Sequence, residues 1–289
     1  MGPSTWNLLA LFVLLASSAL PHVVVPNSPD LKIKTHRSGQ PGSFTETLYL
    51  QGARQRREYV YDKPVNLSFV SISRCDDRKR IDLNDAARLF AEVPIADWSE
   101  QRKRARPVPP DEMTGADVTI TTDSVDTGER RRLGTYEARH VRITIKVEAG
   151  PGAAMPSSIE ERDGWYIDLP GLDCQESGTN IGFVWASFTP GGRRHDRIHF
   201  KRLGTARIGF AIEETTKQIE NGSSPIGKIE LLECSQAPLD SALFAVPAGY
   251  SPALRTPHGG YDMTKPDTLA NRVQVYWAEL QLWTRQWLR

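Results

Sequence analysis

Val141-Arg142-Ile143-Thr144-Ile145-Lys146-Val147 decides the fold. Every odd position is β-branched and apolar, and every even one is polar. Successive side chains of a strand point to opposite faces, so this stretch has one buried and one solvated face. The same alternation, punctuated by turn residues, recurs on both sides of it. Upstream, residues 43–50 lead through Gly52 into a very polar strand at 54–61. Residues 66–73 follow, and an Asp76-Asp77 turn returns the chain as residues 80–83. Residues 118–121 then precede a turn at Asp126-Thr127-Gly128. Downstream, residues 165–169, 181–185, 198–201, 206–213 and 226–232 continue the series. The expected class is mostly β (α+β), an antiparallel sheet with few helices.

Helical signal is confined to two places. Residues 85–90 read as a short helix, and Thr264-Lys265-Pro266-Asp267 has the form of a capping box. After that box, Val273, Tyr276, Trp277, Leu280, Trp283 and Trp287 recur at steps of mostly three and four, one face of an amphipathic C-terminal helix. An open sheet needs a cover on its apolar face, so this helix is expected to pack there. The alternative is peripheral membrane contact through Trp277, Trp283 and Trp287. The Pro- and charge-rich stretch 101–111 and the Gly/Pro/Ala-rich stretch 149–158 read as long hairpin loops within one sheet system.

The amino terminus gives an address. The run from Leu8 to Ala16 is apolar, small residues follow at Ser17, Ser18 and Ala19, and the first charge is Asp30. This is the pattern of a secretory signal over residues 1–20, with cleavage placed after Ala19 and a periplasmic or extracellular destination. Because residues 1–7 carry no Lys or Arg, an uncleaved membrane anchor is the alternative. The organisation that follows is a signal at 1–20, an antiparallel β domain at 21–255, and a tail with the amphipathic helix at 256–289.

Charge and cysteine content narrow the function classes. The chain has 36 basic and 35 acidic residues, so no long-range field gathers nucleic acid. The basic runs at 102–106 and 130–132 read as solvated loops. An exported chain permits a disulfide, and the three cysteines, Cys75, Cys174 and Cys234, leave one thiol over. Sequence alone leaves all three pairs open; Cys174–Cys234 is favoured, since both follow strand-like segments in the same half of the chain. The absence of a CxxC or Cys/His cluster argues against a metal site, and no cofactor is expected. In His195-Asp196-Arg197-Ile198-His199 a strand would hold the imidazoles about 13 Å apart, too far for one ion. There is no GxSxG, SxxK or HExxH, so no catalytic residue is assigned. The sequons at Asn66-Leu67-Ser68 and Asn221-Gly222-Ser223 matter only in a eukaryotic secretory pathway.

Several short stretches resemble a known group. Tyr49-Leu50-Gln51-Gly52-Ala53-Arg54-Gln55-Arg56 looks like the strand–Gly–x–Arg–x–Arg step of LolA-like exported bacterial proteins. Residues 239–250, with Leu239-Asp240, Leu243-Phe244, Val246-Pro247 and Gly249-Tyr250, resemble the closing segment of members of that group of unknown function. Residues 126–129 with 134–139, and Asp163-Gly164-Trp165-Tyr166-Ile167-Asp168, resemble patterns of uncharacterised exported bacterial proteins. The resemblance spans about residues 31–250. It implies a strongly curved antiparallel half-barrel wrapped on helices, with an apolar cavity on the concave side that in carriers accepts acyl chains. The charged strand at 54–57, the loop at 101–111 and the aromatic tail depart from that pattern.

The leading expectation is a non-catalytic binding module of the cell envelope for a lipid, acyl chain or other apolar ligand. Ile181, Phe183 and Trp185, alternating on one strand face, are its candidate lining residues. The alternative is a structural or interaction protein that docks an envelope partner through its sheet or C-terminal helix. An exported hydrolase whose carboxylates or histidines converge only in three dimensions ranks third.

Overall fold

The computed structural model describes residues 30–39, 42–64, 67–95, 115–153, 155–169, 196–219, 224–257 and 260–287. The first six strands are β1 (Leu31–Gly39), β2 (Phe44–Gln51), β3 (Arg54–Tyr61), β4 (Ser68–Arg74), β5 (Lys79–Asn84) and β6 (Leu89–Pro94). A long hairpin follows, β7 (Asp117–Leu133) and β8 (Tyr136–Ala149), and then β9 (Ser158–Ile167), β10 (Arg197–Gly204), β11 (Phe210–Gln218) and β12 (Ser224–Ser235). A 3-10 turn at Ser241–Phe244 leads to β13 (Ser251–Arg255), β14 (Tyr261–Pro266) and helix α1 (Leu269–Trp287). All fourteen strands form one sheet, in the order β10-β7-β8-β9-β11-β12-β1-β2-β3-β4-β5-β6-β13-β14. Neighbours run antiparallel except β10 with β7 and β13 with β6. Among the described residues the protein is mostly β, with a single large, curved, unclosed sheet and one helix near the C-terminus.

The alternation that decides the class is visible in β8. Val141, Ile143, Ile145 and Val147 are buried, while Arg142, Lys146 and Glu148 are exposed. The curvature has a local cause. Bulges interrupt the β1–β12, β9–β11 and β11–β12 ladders, and an extra residue on one strand bends it and raises its twist. At the β9–β11 bulge Gly164 is required, because a β-carbon there would lie 2.5 Å from the Glu213 carbonyl oxygen.

The core records the result. Leu31 and Ile33 of β1 and Leu48 and Leu50 of β2 share one buried cluster with Ala138 of β8 and Phe210 and Ile212 of β11. β2 and β8 are five places apart in the sheet, about 24 Å if it were flat. The cluster runs along one face of the curved sheet from β8 through β9 and β11 to β1 and β2. A separate cluster packs Val70, Ile72, Ile81 and Leu83 of β4 and β5 under Phe244. The 3-10 turn carrying Phe244 is capped by the Asp240 side chain, which accepts from the Ala242 amide at 2.9 Å.

Several expectations are corrected. Residues 85–90 form no helix: residues 85–88 are a turn with Arg88 at φ 50°, and β6 begins at Leu89. Leu89 and Ala91 are buried by the strand period of two, which a short window cannot tell from a helical one. Asp126-Thr127-Gly128 does not end a strand. It is an irregularity within β7, with Gly128 at φ 86°, and the hairpin turn comes at Gly134-Thr135. Residues 149–158 do join the hairpin β8–β9, but β6 and β7, which flank 101–111, lie far apart in the sheet. The stretch 101–111 itself is outside the described residues. β14 extends the sheet past residue 255, where a tail was expected.

At the helix start, Thr264 lies in β14 and bonds Asp262, while Thr268 Oγ1 accepts from the Asn271 amide at 3.3 Å. The cap is therefore Thr268. Among the described side chains of α1 the expected packing onto the sheet is not found: Leu269, Val273, Tyr276, Trp277 and Leu280 are 50–79% exposed. The cysteine pairing is also different. Cys75 is disulfide-bonded and Cys234 is a free thiol, so the Cys174–Cys234 bridge is overturned. Strand proximity in sequence misled, because Cys234 faces β1 at Ile33 across the β1–β12 ladder. Residues 1–29, Asn66, Cys174, Ile181, Phe183, Trp185, His195 and Asn221 lie outside the described residues.

Candidate functional site

The coiled sheet encloses a cavity of about 120 Å³. Its walls come from β1, β3, β8, β9, β11 and β12: Arg37, Arg57, Ile143 and Ile145, Arg162 and Tyr166, Phe210, Ala211 and Glu214, and Ile229. Ile208 and Gly209, just before β11, complete the lining. Gly209 is there because a β-carbon would collide with the Ile167 carbonyl.

One wall is built on β1, β2 and β3. Register places Thr35 opposite Glu46 and Glu46 opposite Tyr59, with Arg57 opposite Leu48. The side chain of Glu46 is 3% exposed. It accepts from Arg37 Nε at 2.9 Å and from Arg57 Nη1 at 3.2 Å. Burial opposes the charge on Arg57, but Glu46 and Tyr59 outweigh it and hold the guanidinium above its ordinary pKa. Burial, reinforced by Glu46, raises Tyr59 as well. The Arg57 guanidinium carbon lies 6.0 Å from the centroid of the Phe210 ring, a cation–π distance across the cavity.

The facing wall is built on β9 and β11. Tyr166, 2% exposed, donates its hydroxyl to Glu214 Oε2 at 2.5 Å. Thr216 Oγ1 donates to Glu214 Oε1 at 3.1 Å. Burial, and then the Glu214 charge, push Tyr166 well above the usual tyrosine range. Arg162 Nε donates to Glu160 Oε1 at 2.6 Å. Burial works against the Arg162 charge, and Glu160 and Glu214 more than restore it.

Three buried groups near this wall system lack partners: Arg57 Nε, Thr35 Oγ1 and both ends of the Gln55 amide. An unsatisfied buried polar group costs about 1–3 kcal/mol. Of the three, Arg57 lines the cavity, and Thr35 and Gln55 occupy the same strands β1 and β3; other unpartnered buried atoms belong to Arg74, Arg131 and Arg139.

A second constellation lies on β7, β8 and β9. His140 bonds Asp163 through Nε2, with Thr127 Oγ1 at 3.2 Å and Glu129 at 3.3 Å from Nδ1. A hydroxyl–imidazole–carboxylate run invites a catalytic reading. Thr127 Oγ1, however, donates to the His140 carbonyl and accepts from the Glu129 amide. His140 also stacks on Trp165 at 5.1 Å, and Arg131 lies 4.9 Å from the same ring. These bonds hold the irregular segment of β7 against its neighbours. In the 195–199 motif His199 meets Asp117 at 3.0 Å, and Arg197 bonds the same carboxylate. Among the described residues no group of three or more His, Cys, Asp or Glu could hold a metal ion.

The cavity residues escape a reading of the sequence alone. Arg37, Arg57, Arg162 and Glu214 sit at alternating positions of polar strands and look like solvated faces until the sheet coils. The one local signal is the alternation Gln55, Arg57, Tyr59 in β3, a strand that carries polar groups on both faces.

No family model matches the chain, and no curated protein matches it. Among solved structures, PNGF-II in a C2 crystal form is similar at 9% identity and a TM-score of 0.31. The likeness covers 86% of this chain and 33% of that one, so the chain spans about a third of that protein's length.

Proposed function

We propose that this chain is an exported, non-catalytic binding module that holds an apolar or amphiphilic ligand in the concave cavity. The observation that carries the reading is the convergence of six strands on one space. Ile143, Ile145, Ile208, Phe210 and Ile229 supply apolar contacts, and the greater part of the exposed lining is polar, with Arg37, Arg57, Arg162, Tyr166 and Glu214 among its residues. At about 120 Å³ the space is smaller than the roughly 300–1,000 Å³ of a site for a whole drug-sized ligand. It therefore takes one end of a ligand, with the remainder leading outward. Export is supported by the apolar run from Leu8 to Ala16 and by the disulfide at Cys75, a bond that persists in oxidising compartments.

Organic extraction of the natively purified chain, followed by mass spectrometry, tests this. About one amphiphile per chain is expected, and a chain that carries none and takes up none on incubation would sink the reading.

A second reading rests on α1. Its apolar residues from Leu269 to Leu280 are exposed, so the helix has a surface with which to dock a lipid interface or an envelope protein. Trp283 and Trp287 extend the same helix.

A further inference from the structure

We infer that Arg37 and Arg57 form an oxyanion subsite inside the cavity, so that the bound ligand ends in a carboxylate or phosphate group. The inference rests on the binding reading above and deepens it by naming the ligand's polar end.

Counting donors and acceptors leads there. A guanidinium offers five N–H donors and no acceptor. Arg37 gives Nε to Glu46 Oε2, and Arg57 gives Nη1 to Glu46 Oε1. Two full positive charges thus share one carboxylate, which leaves an excess of one positive charge on this wall. Arg57 Nε is buried and has no acceptor at all. On the facing wall Glu214 accepts from Tyr166 and from Thr216, and Arg162 is paired with Glu160. Among the residues that line the cavity, the buried atom left without a partner is a donor, Arg57 Nε, and the group that fills it is an acceptor.

Charge decides between a neutral and an anionic acceptor. A buried charge left without a counter-ion is costly, and charge-assisted bonds to an oxyanion are about twice as strong as neutral ones. The planar guanidiniums suit the flat or tetrahedral oxygens of carboxylate and phosphate. Next to them, Phe210 and Ile229 offer apolar contact for carbon attached to that head. One chemistry, an oxyanion, has two sources here: the head of an amphiphile, or the free ion.

Calorimetric titration of the full chain with octyl phosphate, 1-octanol and inorganic phosphate separates them. We expect octyl phosphate to bind at least about tenfold more tightly than octanol, the worth of one charge-assisted bond. Arg37→Gln should bring that preference close to parity. Because either single arginine variant leaves Glu46 short of a partner, the second variant replaces Arg37, Glu46 and Arg57 by Met together, which removes the whole charged set. It too should lose the preference, with its fold checked by circular dichroism. Equal binding of octanol and octyl phosphate, or variants that keep the full preference, would overturn the oxyanion subsite and leave the apolar reading standing. Phosphate binding as tightly as octyl phosphate would support the subsite and overturn the apolar reading instead.

Discussion

Arg57 on β3 and Phe210 on β11 are four places apart in the sheet, yet the guanidinium carbon lies 6.0 Å from the ring centroid. A flat sheet would separate those strands by about 19 Å. The pair is thus a direct measure of how far the sheet curls, and it sits at the lining of the cavity that the curling creates. Bulges on three ladders bend the strands, and the cluster from Leu31 to Ile212 holds the bend shut.

Phe210 should matter for stability as well as for shape. It is 5% exposed and belongs to the cluster that joins β1 and β2 to β9 and β11. Phe210→Ala is expected to cost about 3–5 kcal/mol, read from urea unfolding. Phe200→Ala on the edge strand β10, where the ring is 71% exposed, should stay within about 0.5 kcal/mol.

Tyr166 links the cavity to alkaline stability. Its folded pKa is raised above the ordinary value of about 10, so its contribution is complete below that value and is lost as pH rises past it. Tyr166→Phe should cost about 2 kcal/mol at neutral pH by removing the bond to Glu214. The gap between variant and parent in urea unfolding should narrow above pH of about 10.

The acid side has a separate sensor. Arg139 donates two hydrogen bonds to Asp168, at 2.7 and 2.9 Å, and these hold the carboxyl below the usual range. A carboxyl with a depressed folded pKa stabilises above its unfolded value, about 3.9, and that contribution disappears as pH falls through the folded one. Asp168→Asn should therefore destabilise at pH of about 7, and the difference from the parent should shrink as pH falls below about 3.9. Since the Asp168 side chain is 38% exposed, solvent screening keeps the effect small.

Thiol chemistry tests the cysteine assignment. Burial raises the Cys234 pKa, and Cys75 is disulfide-bonded. Alkylation of the native chain should be slow, and denaturation without reductant should expose one thiol that maps to Cys234. Label recovered on Cys75 under those conditions would overturn the assignment.

Much of the sheet was legible, for a physical reason. β8 announces itself by alternation, because one face meets a core and the other meets water. What failed was whatever depends on which strands become neighbours. Asp126-Thr127-Gly128 has turn residues, yet the chain continues, since those residues serve a bulge equally well. Arg37 and Arg57 looked like surface charges until β1 and β3 were bent over β11. The aromatic face of α1 was read correctly as a helix and wrongly as a cover, because periodicity reports a face and not its partner.

That exposed face yields its own expectation. Truncation after Thr268 removes α1 without disturbing a described strand, so the melting temperature should change by only a degree or two, in line with the small cost of surface changes. If α1 docks to lipid, flotation with vesicles containing anionic lipid should be lost with it. Flotation retained by the truncated chain would remove α1 from the account.

The central claim is that the ligand enters the concave cavity. Methyl-labelled isoleucine resonances report this directly during titration with octyl phosphate. The methyls of Ile143, Ile145, Ile208 and Ile229 line the cavity, whereas Ile72 and Ile81 pack under Phe244 in a separate cluster. The account predicts that the first four shift and saturate together while the latter two stay fixed. Shifts confined to Ile72 and Ile81, or none at all with ligand in excess, would contradict it.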